Sequence, residues 1–410
     1  MFNFFINIIA NPPKLSDPIG MFIKWMATTF GSVWLAVILF TLFLKLITLP
    51  LDYLSRASTK KGSLKMARIQ PQLEKLKEQY AHDKNLYNQH MMALYKKEGY
   101  NVFGACLPMI VTLVIFIWMF ASFRTFSEYQ SANNYYKMEQ IYNTEYITVY
   151  EPIYNPVYEP AYNEVYSVEY GKAHSEPRDA EYEAIYLTEK GKAINEGDIE
   201  NAETRAEAAV DNAVHNKAHS SAHKAAYAAA DPVANPAAQL AVKNSFKDIN
   251  DNFFWVGNLW ISDNPFEKMV PNYKKYLDIS KVKGDNVPDP ALYDRVVGEL
   301  DKGRVNGYFI LPLIAVAITV LSTYITTKTQ AAQQNAMAGN AANTSKVMMF
   351  IMPIMIGIFA YTSSSAFALY MIFNSVLSVL TTIAVNKIVE KKFKEEEKKN
   401  EVSYKRKPIK

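Results

Sequence analysis

One charged side chain lies inside a long apolar run. The run extends from Ser32 to Leu51, about the ~20 residues that a helix needs to cross a bilayer, and Lys45 is its only charge. Lys45 lies roughly 9 Å from the end of the run at ~1.5 Å per residue, so its amine could extend to the membrane surface. Alternatively, Lys45 faces a water-filled groove, because charges within membranes usually face the bundle interior.

Other polar residues in the apolar runs could line the same groove. Thr41 lies one helical turn before Lys45 and shares its face. The further candidates are hydroxyl and amide side chains in three later runs: Thr112, Thr319, Ser322, Thr323, Asn374 and Ser375. Hydroxyls in such helices also commonly bond to their own backbone, so this alternative remains open.

Histidines give the one other pattern with metal-binding geometry. His215, His219 and His223 lie four residues apart and would share one helix face. No Cys or carboxylate converges on them in sequence, which favours an exposed helix surface. No nucleotide-binding loop, metal cluster or nucleophile constellation is found, so we expect no cofactor and no enzymatic activity. The lone Cys106 cannot form an internal disulfide.

The elements that position these residues are long apolar helices. An all-α polytopic membrane protein with five transmembrane helices is predicted, at 32–51, 102–123, 308–327, 347–361 and 366–385. Residues 52–101 carry ten Lys or Arg against five Asp or Glu, whereas residues 124–305 carry 19 against 29. Basic short loops stay in the cytoplasm, so the N-terminus is predicted outside and the C-terminus inside.

The cytoplasmic segments differ in their patterns. Two helical patterns in residues 52–101 flank the turn His82–Asn85 and predict a helical hairpin, although a plain connector is the alternative. Residues 328–346 form a polar loop. The basic tail, 386–410, could attract anionic lipid or ribosomal RNA, or only fix the orientation. DNA is not an expected partner, because no aromatic-interleaved basic domain is present.

At the N-terminal end, residues 1–31 are predicted to lie outside the first span. Pro18 to Phe30 has apolar residues at helical spacing, which predicts an amphipathic helix lying on the membrane surface. The alternative is that this stretch lengthens the first span.

The segment 124–307 is predicted to be an extracytoplasmic insertion. From Tyr142 to Tyr170 a tyrosine falls at every fourth position, and Pro152, Pro156 and Pro160 keep the same period. Because proline lacks the backbone donor that a helix needs, repeated turns or an extended ribbon are expected. This ribbon would serve as a partner contact or as a spacer. An Ala-rich helix, 201–230, is expected to end at Asp231-Pro232 and Asn235-Pro236, and residues 267–306 to fold as a small cap.

Several motifs in the same order resemble the YidC/Oxa family of membrane protein insertases. They are LFLKLITLPL, MARIQPQLEKLKEQYAHDKNLYNQHMMALYKKEGYNVFGACLPMI, FFWVGNLWISDNPF, YFILPLIAVAI and KVMMFIMPIMIGIFAYTSSSAFALYMIFNSVLSVL. The resemblance covers about 210 residues and leaves 125–250 outside it.

The resemblance implies a function for the charged groove. In the family an Arg occupies the position of Lys45 and receives hydrophilic, often acidic, parts of nascent proteins in a groove open to the cytoplasm. Lysine keeps the charge but loses the planar fork of donors. A tyrosine pair of the family appears here as Tyr370 and Met371, and a glutamine as Thr112.

The expected function is insertion of nascent membrane proteins into the lipid bilayer of the bacterial plasma membrane. The ribosome and the Sec translocon are further candidate partners. Met66, Met91 and Met92 of the hairpin would make the first contact, although packing within the hairpin competes for them. A small-solute transporter and an envelope scaffold or adhesion protein are the alternatives.

Overall fold

The computed structural model describes residues 12–99, 102–300, 303–336 and 353–405. The first eleven residues, most of the predicted loop 328–346, the start of the predicted span 347–361 and the end of the tail lie outside the described residues. The helices that carry Met66 and Thr112 are described, but the side chains of these two residues are not.

All regular elements of this described part are helical, apart from two isolated β-bridges. This confirms the predicted all-α class. In chain order the helices are α1 (Pro18–Phe30), α2 (Val33–Gln79), α3 (Lys84–Lys97), α4 (Val102–Ala173), α5 (Ala180–Asn195), α6 (Ala202–Ile249), α7 (Tyr273–Ser280), α8 (Pro290–Val296), α9 (Ile310–Ala336), α10 (Pro353–Thr362) and α11 (Ser365–Lys405). A single 3-10 turn, Gly284–Asn286, lies between α7 and α8.

The chain divides into two compact units. One, termed the ladder unit, includes Tyr135–Ile249 and Val287–Leu300; the other described residues form the span unit. The predicted cap at 267–306 is divided between them, because α7 belongs to the span unit and α8 to the ladder unit.

Within the described part of the chain, two helices of the span unit are long and apolar enough to cross a membrane. They contain the segments Val33–Gly62 and Ser365–Glu395, and shorter apolar helices cover Ile310–Ile325 and Pro353–Thr362. The second predicted span, 102–123, forms the start of α4, where half of the side chains lie outside the described residues.

Helix α1 has the bounds that the sequence predicts. Pro18 occupies its first turn, and the Asp17 carboxylate caps it by accepting a hydrogen bond from the Gly20 amide at 2.6 Å. The helix ends at Gly31, whose φ of 70° requires a left-handed backbone. Helix α1 is therefore separate from α2, and does not extend it. Its buried residue Ile23 packs in the same core as Phe40 of α2.

The predicted hairpin is formed by the second half of α2 and by α3. Asp83 caps α3 by accepting hydrogen bonds from the amides of Asn85 and Leu86. The two helices enclose a small core of Ile69, Leu73, Leu94 and Tyr95. The first span and the first hairpin helix are one continuous helix, Val33–Gln79.

The tyrosine repeat is helical, so the predicted turns or ribbon are wrong. Helix α4 continues through all three prolines to Ala173. Adjacent tyrosine rings from Tyr142 to Tyr170 stack along it, with centroids 5.0 to 6.0 Å apart. The prolines are each two residues from a tyrosine, about 200° around the helix, and are exposed. Water can therefore solvate the carbonyls that lose a donor.

Helix α6 also passes through the residues expected to end it. It runs to Ile249, well beyond Pro232 and Pro236. These prolines lie two residues away from a fully buried stripe of small side chains. The stripe recurs every fourth residue and consists of Ala206, Val210, Val214, Ala218, Ala222, Ala226, Ala230, Ala234, Ala238 and Val242. Packing of the stripe therefore outweighs the cost of the two prolines.

Tyrosines of α4 pair with polar residues of α6. The Tyr142 hydroxyl donates to Asn235 at 2.6 Å, and the Tyr146 hydroxyl donates to Asp231 at 2.7 Å. The predicted surface histidines also contact tyrosines of α4. His219 and His215 are exposed, and a ring nitrogen of His219 contacts the Tyr158 hydroxyl, while one of His215 contacts the Tyr162 hydroxyl. The His223 ring packs edge-on against the Tyr154 ring. We found no cluster of metal-ligating side chains in the described ranges.

Polar clusters also connect elements of the ladder unit. Glu169 accepts hydrogen bonds from Tyr182 and Lys172 and pairs with Lys217 at 3.0 Å; the donors hold the pKa of Glu169 at about 2. In the second cluster Arg295 of α8 donates to the Tyr142 and Tyr227 hydroxyls and pairs with Asp231.

Candidate functional site

The charged residues of α2 form the candidate site. The Lys45 amine lies 2.7 Å from an Asp52 carboxylate oxygen, and the Lys45 side chain is 11% exposed against 32% for Asp52. These residues are seven positions apart, two turns on one helix face. The Asp52 carboxylate thus gives the largely enclosed ammonium a partner in place of part of its hydration.

A second cation lies one turn beyond this pair. Arg56 donates to the Thr382 hydroxyl and, at 3.4 Å, to the Asn386 carbonyl oxygen, both on α11. The Thr382 hydroxyl donates in turn to the Ser378 carbonyl oxygen at 2.6 Å. The Arg56 guanidinium is thus positioned by a neighbouring helix, and it lies close enough to Asp52 for the two charges to interact.

The predicted polar wall has mixed environments. Thr41 and Thr319 are buried, and their hydroxyls donate to the carbonyl oxygens of Val37 and Ala315 in their own helices. Ser322 and Asn374 are partly exposed. The side chain of Thr112 lies outside the described residues. The lining role of these residues therefore stays a prediction.

The two residues at the positions of the family's tyrosine pair, Tyr370 and Met371, lie in an aromatic core. Tyr370 and Met371 are 5% and 4% exposed. The Tyr370 ring centroid lies 5.1 Å from that of Phe123 and 5.7 Å from that of Phe367. Both residues therefore pack in the core of the span unit.

The hairpin methionines differ in exposure. Met91 packs against the small core of the hairpin, whereas Met92 is 54% exposed. The side chain of Met66 is not among those described. Of Met91 and Met92, it is therefore Met92 that is available for contact with another molecule.

Asp52 and Arg56 were missed by the sequence analysis. Their signal was present, because spacings of seven and four residues place both on the Lys45 face. Asp52 lies just beyond the end of the apolar run, where a charged residue does not stand out from the basic segment that follows.

A buried carboxylate connects the loop after α6 to the start of α9. Asp263 is 1% exposed and accepts hydrogen bonds from the backbone amides of Tyr308 and Leu311, both at 2.6 Å, and from the Trp255 indole at 3.2 Å. This carboxylate fixes the segment that leads into α9, against which α2 and α11 pack.

Comparison with known proteins gives a consistent set of relatives. The model of the family described as "60Kd inner membrane protein" matches residues 25–168 and 240–392. The match includes the tyrosine repeat up to Tyr166, so the prediction that residues 125–250 lie wholly outside the resemblance is wrong. Solved structures give no significant match.

Three of the relatives, each named "Membrane protein insertase YidC", illustrate the similarity. The protein of Cellvibrio japonicus is 37% identical over 106 residues, which cover 26% of this chain and 18% of the relative. That of Roseobacter denitrificans is 39% identical over 106 residues, 26% and 17% of the two chains. That of Caldanaerobacter subterraneus is 33% identical over 115 residues, 28% and 54% of the two chains. The matched stretches thus span from about a sixth to about half of these relatives.

Proposed function

Because the chain belongs to the 60Kd inner membrane protein family, which is the YidC/Oxa family, we propose that it is a membrane protein insertase. It receives the hydrophilic end of a nascent membrane protein beside Lys45 and releases the apolar segment into the bilayer. The observation that carries this proposal is a largely enclosed ammonium within an apolar helix, paired with one carboxylate.

The physical task of an insertase is to lower the cost of desolvating a polar segment. A charged residue at the centre of a bilayer costs several kcal/mol, roughly 2.5–3.5 on insertion scales. A groove open to the cytoplasm shortens the apolar distance, and a fixed cation offsets part of the desolvation of an acidic end. The substrate's own apolar segment then supplies the favourable partition free energy. This function is not enzymatic and uses no cofactor.

The proposed groove contains Lys45, Thr41, Thr112, Thr319, Ser322 and Asn374, with Tyr370 and Met371 behind it. Met92 is the proposed first contact on the hairpin, supported by its exposure. The partners are nascent membrane proteins and lipid; the ribosome and the Sec translocon are further proposed partners, the basic tail being suited to anionic surfaces. The proposed location is the bacterial plasma membrane, with the N-terminus outside.

Reconstitution in liposomes tests the proposal. The reporter is a single-span protein with an acidic translocated end, and its insertion is measured as protection from added protease. Lys45→Arg is expected to retain insertion, and Lys45→Ala to lose at least about tenfold in rate, because one ion pair at a shielded site can supply that much. Lys61→Ala is the matched control, since Lys61 is an exposed cation on the same helix.

If Lys45→Ala inserts the reporter as fast as the parent protein, Lys45 is only an interfacial anchor and the proposed receiving role is wrong. Loss of activity in both Lys45→Ala and Lys61→Ala would indicate a general charge effect rather than a site.

A further inference from the structure

The cation that is proposed to receive substrates already has an internal partner. Lys45 contacts Asp52 at 2.7 Å, so a carboxylate of the chain itself occupies the place where an acidic substrate group would bind. Lys45 is the more enclosed member of the pair, at 11% exposure against 32%. Asp52 is therefore the member that can turn toward water while the ammonium stays in place.

A second cation is available to Asp52 when it leaves Lys45. Arg56 lies four residues further along α2, one turn away on the same face. Its guanidinium is fixed by Thr382 and Asn386 of α11, so it does not need to move. A displaced Asp52 would therefore keep a favourable charge interaction, which lowers the free energy required to vacate Lys45.

The Lys45–Asp52 pair does not hold two elements of the fold together. Both residues belong to the same helix, and within the described residues the pair connects α2 to no second element. The described hydrogen bonds between α2 and α11 in this region are made by Arg56 and Tyr53 instead. Loss of the Lys45–Asp52 pair would therefore leave the hydrogen bonds between the helices intact.

We propose that Asp52 is an internal competitor for Lys45. An acidic substrate group must displace the Asp52 carboxylate from Lys45, and Asp52 thereby sets the preference between acidic and neutral translocated ends. This inference rests on the proposed function. The competing carboxylate reduces the attraction that the Lys45 ammonium offers to an acidic end, whereas a neutral end is little affected by it. Asp52 is a specificity-determining residue under this proposal, acting through Lys45.

The test compares two reporters that differ only in the translocated end. One carries two aspartates there, and the other carries two asparagines. The measured quantity is the ratio of their initial insertion rates in liposomes. Asp52→Asn keeps the size and hydrogen-bonding capacity of the side chain and removes its charge. The acidic-to-neutral ratio is expected to rise about threefold to tenfold, the range for removal of one partly exposed competing charge.

Further variants make the outcome decisive. Asp52→Ser removes the carboxylate in a second way and should raise the ratio in the same direction, which covers the case in which Asp52→Asn folds poorly. Asp52→Glu keeps a competing carboxylate and should give a ratio below that of Asp52→Asn. Glu74→Gln, at an exposed acid of the same helix, should leave the ratio at the parent value. The double variant Lys45→Gln/Asp52→Asn should show the low ratio of Lys45→Gln.

An unchanged or lower ratio in both Asp52→Asn and Asp52→Ser would overturn the inference, whether the two rates fall together or stay constant. The failure of the proposed function looks different: Lys45→Gln would then leave both reporter rates at the parent level. If Lys45→Gln slows the acidic reporter while the Asp52 variants do not change the ratio, only the competitor role of Asp52 is wrong.

Discussion

The buried acid Glu139 offers a sharp test of how the ladder unit is stabilised. Its side chain is 0% exposed, and neither carboxylate oxygen has a hydrogen-bond partner among the described residues. Burial disfavours the charged form and raises the pKa of Glu139 from 4.5 to about 7. The folded protein therefore keeps this proton over a pH range in which the unfolded chain has lost it.

The sign and size of the pH effect follow from these two values. A raised pKa contributes stability that is fully present below pH 4.5 and is lost as the pH rises to about 7. The difference corresponds to roughly 3 kcal/mol. Glu139→Gln cannot ionise, so we expect it to stabilise the ladder unit by up to about 3 kcal/mol at pH 8 and to have little effect at pH 4.

Amide hydrogen exchange of the full chain in detergent measures this effect locally. Protection of a peptide covering Tyr135 to Tyr142 is compared between the parent and Glu139→Gln at both pH values, after correction for intrinsic exchange. Glu151→Gln is the control, because Glu151 is exposed on the same helix. The reasoning is refuted if Glu139→Gln changes protection equally at pH 4 and pH 8, or lowers it at pH 8.

Three further predictions concern polar contacts. Asp263→Ala leaves three donors without their acceptor and should lower the free energy of unfolding by about 2–4 kcal/mol, measured by urea denaturation followed through tryptophan fluorescence. Tyr142→Phe should lower the free energy of unfolding by about 1–3 kcal/mol, because the Tyr142 hydroxyl is enclosed, whereas Tyr158→Phe should lower it by less than about 1 kcal/mol. Equal decreases in the two variants would contradict the difference in burial. The depressed pKa of Glu169 contributes stability above pH 4.5 that is lost as the pH falls toward about 2. Glu169→Gln should therefore destabilise the protein at pH 7 and not at pH 2 in thermal unfolding, and a pH-independent effect would count against the charge interactions.

The parts of the fold that were predicted correctly depend on local signals. Asp17, Pro18 and Gly31 define α1 through a cap, a proline in the first turn and a left-handed end, which act within a few residues. The tyrosine repeat was misjudged because the local rule for proline was applied without the packing face. In α4 the prolines lie opposite the tyrosines, so stacking and the contact with α6 keep the helix intact.

The candidate site was predictable only in part. Lys45 is conspicuous because it is a single charge in an apolar run, and no tertiary information is needed to find it. Its partner Asp52 lies beyond that run, and the Arg56 contacts join residues 326 and 330 positions apart in the sequence. Such long-range contacts depend on how α2 and α11 pack, which helical periodicity alone does not specify.

The four-residue spacing of the buried stripe on α6 has a geometric consequence. Four residues advance about 400° around an α-helix, so the stripe turns about 40° in the right-handed sense at each repeat. From Ala202 to Val242, all fully or almost fully buried, it turns through roughly one whole revolution. Its partners must follow it as a right-handed supercoil, opposite in hand to a heptad coiled coil. The paired helices can therefore lengthen or shorten during evolution only by matched steps of four residues, each adding or removing one tyrosine and one small residue.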